Sequence, residues 1–358
     1  MAARTHLRDI LLDRQTLLPA QEATLPTSLA YSNEAEFDAR WAMELANGPY
    51  RERVARFAAV EIGRLPAGTV LRGEHHFLMR WNDAVAIESV PHGLLADSDM
   101  LDQALARDLP VDDIEQECLI LARYGHGTWG HWLGEILPIA ALVEERFPGR
   151  FRYAVPQHAA GPYTEAMIQS LATYGIGTDS IIWLRQDRAH RLRQAWGVTP
   201  VWSDHAPHPG ALQALRAMPR PGVSQGHTRL ALLRQDWTTR AVANAEQVEQ
   251  VLRSEGFHIA DMAGRPFADQ VNAFRTAEIV FSVLGSGLTG LVYSPDLVQV
   301  VAASPSGFSD RFFYALVQSR GGRWAEVKGP TQWAGEGMMR DAPFEIPLPA
   351  LRTALAHS

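Results

Sequence analysis

The groups able to do chemistry fall in two places along the chain. In the C-terminal half, Arg234 follows the apolar run Leu230–Leu233, Arg240 stands six residues later, and Asn244 follows. A second apolar run, Glu278–Leu284, ends in Gly285-Ser286-Gly287-Leu288-Thr289. Guanidinium groups pair bidentately with phosphate oxygens, and backbone N–H groups at a glycine-rich helix start hold anions. Upstream, His131 and Glu135 are four residues apart, which puts both on one face of a helix. Such a pair can take a proton from a hydroxyl. A helix-surface pair without chemical duty fits the same spacing equally well.

The elements that must position these groups alternate between strand and helix. From Arg229, the reading is strand Leu230–Leu233, a helix opened by Asn244 with Gln247 as a capping box and stopped by Gly256, and strand Phe257–Ala260. Next come a helix opened by Pro266 with Phe267, Val271 and Phe274 on its buried face, strand Glu278–Leu284, a short helix Leu288–Tyr293, and strand Val298–Ala302. Short β-α-β connections force parallel strands and right-handed crossovers. Ligands bind such sheets outside the carboxyl ends of the strands, so Arg234 and the Gly285-Ser286-Gly287 turn are expected on one rim. In the N-terminal half, Ile114–Arg123 reads as a core strand. Its exit loop is Tyr124-Gly125-His126-Gly127-Thr128-Trp129-Gly130-His131, and the helix that follows buries Leu133, Ile136, Leu137, Ala140, Ala141 and Val143. Strand Phe151–Val155, helix Tyr163–Tyr174, strand Ile181-Ile182 and a last strand Trp196–Val201 continue the alternation.

The ordered set of Arg240, Asn244, Gly256-Phe257, Phe267 to Val271, Ala277 to Val280 and Gly285-Ser286-Gly287-Leu288-Thr289 resembles the C-terminal half of family 61 glycosyltransferases. The upstream block Trp129-Gly130-His131-Trp132-Leu133-Gly134-Glu135-Ile136-Leu137-Pro138 is similar to that family's His-Trp-Leu block ahead of a proline. The resemblance implies an α/β protein of GT-B type, with two Rossmann-like domains whose parallel sheets face across a cleft. It also implies an inverting hexosyl or pentosyl transfer from a nucleotide diphosphate sugar, with uridine diphosphate sugars the expected donors, to a glycan hydroxyl in polysaccharide assembly. No metal and no further cofactor are expected. On that reading Arg234, Arg240, Asn244, Gly285, Ser286, Gly287, Leu288 and Thr289 bind the donor, and His131 and Glu135 supply the base, with His131 preferred. The chain departs from the family's pattern at Ala245, where a glutamate is usual, and at Gly290, where an asparagine is usual. A catalytically silent nucleotide- or carbohydrate-binding protein and a GT-B-like nucleotide-sugar epimerase stay open as alternatives.

Composition narrows the field further. The 358 residues are 46% apolar and 20% charged, as a globular protein requires, and the net charge of -7 argues against a nucleic-acid partner. Lys328 is the only lysine in the chain. The single Cys118 allows no internal disulfide and lies in an apolar run, which fits a reducing compartment. No run of about 20 apolar residues occurs, so a cytoplasmic protein is expected, with contact at the inner face of a membrane limited to the periphery. His75-His76 and the loop residues His205 and His208 read as structural or solvated, and Asp97-Ser98-Asp99 as an acidic helix start and not a metal pair. Turn-rich Ser203–Gly210 and Pro219–Gly222 mark a linker zone. Three parts are expected: an acceptor-side domain over 1–210 with surface helices at Phe37–Leu45 and Tyr50–Ile62, a donor domain over 211–330, and a tail over 331–358 that returns to the first domain.

Overall fold

A computed structural model describes residues 3–25, 29–33, 54–73, 77–202, 206–217, 226–233, 239–306, 308, 310–332 and 341–357. Arg234, the His75-His76 pair, His205 and the expected helix Phe37–Leu45 lie outside these. The chain divides into two units. The first comprises Met1–Gln21, Phe57–Ser203 and Gly210–Met218, and the second Glu22–Arg56, Asp204–Pro209 and Pro219–Ser358.

The first unit is built on one mixed sheet. Val111–Ile120, Arg152–Pro156 and Ile181–Leu184 run parallel in that order, joined by the helices Leu137–Arg146 and Pro162–Ala172. Ala189–Val198 lies parallel on the other side of Val111–Ile120 and is longer than the expected last strand. The sheet then continues antiparallel through Val70–Arg72, Leu78–Trp81 and Ala84–Ala86, so the expectation of a purely parallel sheet fails here. Trp81 pairs with Ala84 across a two-residue turn in which Asn82 takes a left-handed φ of 49°, a conformation that asparagine tolerates. Residues expected to form the helix Tyr50–Ile62 instead supply the strands Val54–Phe57 and Val60–Arg64. Their apolar residues alternate with polar ones, and that period of two overrode the helical reading.

In the second unit six strands run parallel in the order His258–Ala260, Arg229–Leu232, Ile279–Val283, Gln299–Pro305, Arg323–Gly329 and Leu29–Ser32. The inner strands read as continuous apolar runs because both faces are covered. Helices Ala245–Ser254 and Phe267–Thr276 form at the expected places, and Phe267, Val271 and Phe274 are the buried residues of the latter. Two elements move the boundaries drawn from sequence. Leu29–Ser32 leaves the N-terminal region to become the sixth strand, where Asn33 hydrogen-bonds both the N–H and the C=O of Lys328. The C-terminal helix Leu348–Ala356 packs on the second unit's core through Leu351, Ala354 and Leu355. Its exit residue His357 stacks on Tyr31 at 5.6 Å.

The segment Ser286–Tyr293 is a 3-10 helix that follows strand Ile279–Val283 after two residues, Leu284 and Gly285. Its C-terminal carbonyls need partners, and the buried Arg320 provides them. Nη1 donates to Leu291 O at 2.6 Å and Val292 O at 3.0 Å, while Nη2 donates to Ser294 O and to Asp296 Oδ1. Arg320→Met keeps the length of the side chain and removes every one of these donors. We expect it to lower stability by about 3 kcal/mol or more, read as a shift of the urea midpoint. A loss below about 1 kcal/mol would mean that the helix end finds other partners.

Candidate functional site

Strand order reverses between Arg229–Leu232 and Ile279–Val283: the chain steps outward to His258–Ala260 and then back past its start. At such a reversal the connections leave in opposite directions and open a crevice at the carboxyl ends. Gly285, Ser286 and Gly287 follow the second of these strands, and a Cβ placed on Gly287 would come no nearer than 3.9 Å to Leu232 Cδ1 at the end of the first. In this turn Leu288 N–H is already bonded to Gly285 O at 2.9 Å. The N–H groups of Ser286 and Gly287 have no partner among the described residues, as expected for the first residues of a helix. Gly287 is exposed, whereas Leu288 and Thr289 are buried with their side chains in the core. Of the five residues expected in this turn, Ser286 and Gly287 carry N–H groups without a described partner, and Leu288 and Thr289 are sunk in the core.

Arg240 reaches the same turn. Its guanidinium Nη2 lies 3.8 Å from where a Cβ on Gly285 would stand. Nη1 bonds Asp341 Oδ1 at 3.2 Å, the backbone N–H donates to Asp341 O at 2.8 Å, and the guanidinium lies over the Phe308 ring at 5.1 Å. Arg240 holds a left-handed φ of 55°, a conformation uncommon for a residue with a side chain. Asn244 works differently from the expectation. Its side chain does not cap the helix; the amide donates to Ile346 O at 2.9 Å and accepts from Ile346 N at 3.0 Å. Donor and acceptor are both engaged, so Asn244 fixes the C-terminal segment that carries Asp341. Asp341 and Phe308 were not foreseen, since neither lies in a recognisable motif.

In the first unit, His131 and Glu135 form a pair, with Nδ1 2.7 Å from Oε1. Gly130, Trp132 to Gly134 and Ile136 to Pro138 are all buried, so Trp129, His131 and Glu135 are the side chains that emerge from this block. Trp132 is clamped by its indole N–H to Ser170 Oγ at 2.9 Å. The segment Trp132–Ile136 is a π-helical turn, in which Leu137 N–H reaches back five residues to Trp132 O. Pro138 has no N–H for the carbonyl of Gly134, and the Trp202 indole supplies one at 2.8 Å. Gly125 makes room for the imidazole. A Cβ there would lie 2.4 Å from His131 Cγ, and its φ is +80°. An ionised carboxylate only accepts hydrogen bonds, so Glu135 fixes the proton on Nδ1 and leaves Nε2 as the basic atom of the ring.

Two further groups line this loop. Burial pushes the Arg123 guanidinium down to about 10, against the opposing pull of Glu88 and Glu135, so a cation sits in the field of Glu135. His126 is buried, lies 3.3 Å from His158 Nε2, and accepts at its backbone O from the Tyr163 hydroxyl. Burial also lowers the pKa of the His158 imidazole, which favours its neutral form. The Asp97 carboxylate accepts from Asp99 N and Met100 N, which bears out its reading as a helix start. Residues 129–301 match the family model Glycosyltransferase 61. That match supports a glycosyltransferase of family 61. It spans just under half of the 358 residues, from Trp129 of the His131 block through the Gly285 turn. No curated protein matches the chain.

The two glycines of the turn region are expected to respond oppositely to a side chain. A Cβ at Gly290 would stand 2.0 Å from the Phe274 ring, whereas at Gly287 nothing comes closer than 3.9 Å. Gly290→Val should cost about 1–3 kcal/mol or more through overpacking. Gly287→Val should stay within about 0.5 kcal/mol of the parent in the same urea titration. Equal losses at both positions would contradict the packing described.

Proposed function

We propose that this chain is an inverting, metal-independent glycosyltransferase of GT-B type. It moves a hexosyl or pentosyl group from a nucleotide diphosphate sugar, a uridine diphosphate sugar in the first instance, to a hydroxyl of a glycan acceptor in polysaccharide assembly. The observation that carries the reading is the Gly285 turn at the strand-order reversal, with the open N–H groups of Ser286 and Gly287 and the Arg240 guanidinium beside it. These groups suit a diphosphate on which negative charge grows. Arg234, two residues beyond the strand Arg229–Leu232 in sequence, is assigned to the same anion.

In the reaction, the acceptor oxygen bonds to the anomeric carbon as the bond from that carbon to the phosphate oxygen breaks. The electron pair goes to the departing nucleoside diphosphate, and the hydroxyl proton goes to His131 Nε2. Glu135, hydrogen-bonded at Nδ1, orients the ring and stabilises the imidazolium that forms. His131 is the base and Glu135 its positioning partner.

Uridine diphosphate should raise the melting temperature of the parent, and Gly287→Val, folded but with a branched side chain in the turn, should abolish that shift. With a transferred sugar identified, His131→Ala should lower kcat by about a hundredfold to ten-thousandfold with donor affinity nearly unchanged. Glu135→Gln should fall between it and the parent. Activity should persist in excess EDTA. Parent-like turnover in His131→Ala would remove it as the base, and loss of turnover in EDTA that manganese or magnesium restores would overturn the metal-independent mechanism.

A further inference from the structure

The chain contains 33 basic side chains of lysine and arginine type, and arginine serves at every position except Lys328. That one lysine is 3% exposed and stands near the carboxyl end of strand Arg323–Gly329, paired in register with Ser304 of the neighbouring strand. Its ammonium donates to Ser304 Oγ at 2.8 Å, to Phe308 O and to Glu326 Oε1. Glu326 is 1% exposed; its Oε1 also lies 3.2 Å from Ser304 Oγ, and its Oε2 accepts from the Trp324 indole at 3.0 Å. Three ammonium protons meet three acceptors arranged around one point. A planar guanidinium fork cannot reproduce that arrangement, which gives a physical reason for lysine in a chain that otherwise uses arginine.

A buried ion pair is a poor means of gaining stability, because desolvation offsets most of the attraction. What this pair does hold is the carbonyl of Phe308. Phe308 carries the ring over which the Arg240 guanidinium lies at 5.1 Å, and that guanidinium stands at Gly285. Phe308 lies three residues beyond Pro305, the last residue of its strand; its N–H donates to Pro305 O at 3.1 Å, and its carbonyl accepts from Lys328 and from Ser304 Oγ at 3.3 Å. We infer that Lys328 is a positioning residue for donor binding: with Glu326 and Ser304 it fixes Phe308, and through that ring it aims Arg240 at the anion held by the Gly285 turn. The inference rests on the donor reading above.

The test uses the full chain. Lys328→Met combined with Glu326→Leu replaces the ion pair by apolar groups and leaves no buried charge, and Phe308→Leu removes the ring while keeping the ion pair. Crystal structures of both, their melting temperatures, and calorimetric affinities for uridine diphosphate are compared with the parent. We expect both variants to stay folded, the Arg240 guanidinium to leave Gly285 in each, and affinity to fall about threefold to thirtyfold, the range of a cation–π contact. Combining all the substitutions should add little, since they act along one path. Should the apolar pair fail to fold, Lys328→Gln with Glu326→Gln supplies a neutral pair too short to reach the Phe308 carbonyl, with the same expectation. An Arg240 that keeps its place in the folded ion-pair variant overturns the inference, whatever the nucleotide affinity. A displaced Arg240 in a protein whose parent binds no uridine diphosphate upholds the positioning role and overturns the donor reading instead.

Discussion

Backbone groups at the carboxyl edge of a parallel sheet have no further strand to pair with, and where the strand order reverses there is also no helix above them. In the second unit that point lies between Arg229–Leu232 and Ile279–Val283. The Gly285 turn occupies it because only Leu284 and Gly285 separate the strand from the 3-10 helix, so the first N–H groups of the helix stand close to the strand end. The surrounding construction holds this junction still. Arg320 secures the far end of the helix, Leu288 and Thr289 are sunk in the core, and Leu284 N–H still pairs with Ala303 O beside the turn.

Cations reach that rim by a different route from the turn. Arg240 is not held by the strand it follows; it is held by Asp341 and Phe308, from segments about a hundred and about seventy residues further along the chain. Asn244 fixes the first of these segments through Ile346, and Lys328 fixes the second. The unit thus holds the Arg240 guanidinium beside the Gly285 turn with one carboxylate and one aromatic face. In the first unit His131 is treated similarly: Gly125 leaves it space, Glu135 sets its tautomer, and Arg123 lies within the field of Glu135.

The elements that sequence made legible are those whose signals are local. Helix Phe267–Thr276 buries the three apolar residues its spacing predicts, and the alternation from Arg229 to Ala302 folds into parallel strands with only small shifts at the ends. The strand Arg323–Gly329 escaped notice because Glu326 and Lys328 interrupt an otherwise apolar run; two charges on one face read as solvent, and here they neutralise each other inside the core. The N-terminal strands were masked by a pattern compatible with amphipathic helix. Among site residues, Asn244 was found for the wrong duty, since an asparagine before a helix signals a cap and nothing local reveals Ile346. Asp341, Phe308, His158 and Tyr163 could not be found by motif, because each acts through a contact that only the tertiary fold creates.

Gly290, where the resemblance to family 61 would place an asparagine, is a packing position in this chain. The residue is buried, and the space its side chain would take is filled by the Phe274 ring, with Phe267 against Tyr293 at 6.0 Å in the same packing layer. An asparagine there would need both a cavity and partners for its amide, and Phe274 supplies neither. The exchange therefore lies beneath the 3-10 helix, where it sets how that helix rests on Phe267–Thr276, and not at Ser286 and Gly287, whose N–H groups face no described partner. A lost asparagine in contact with ligand would leave the rim short of a polar group. In this chain Gly290 lies in the packing layer under Phe274, while the open N–H groups of Ser286 and Gly287 belong to the other end of the same helix.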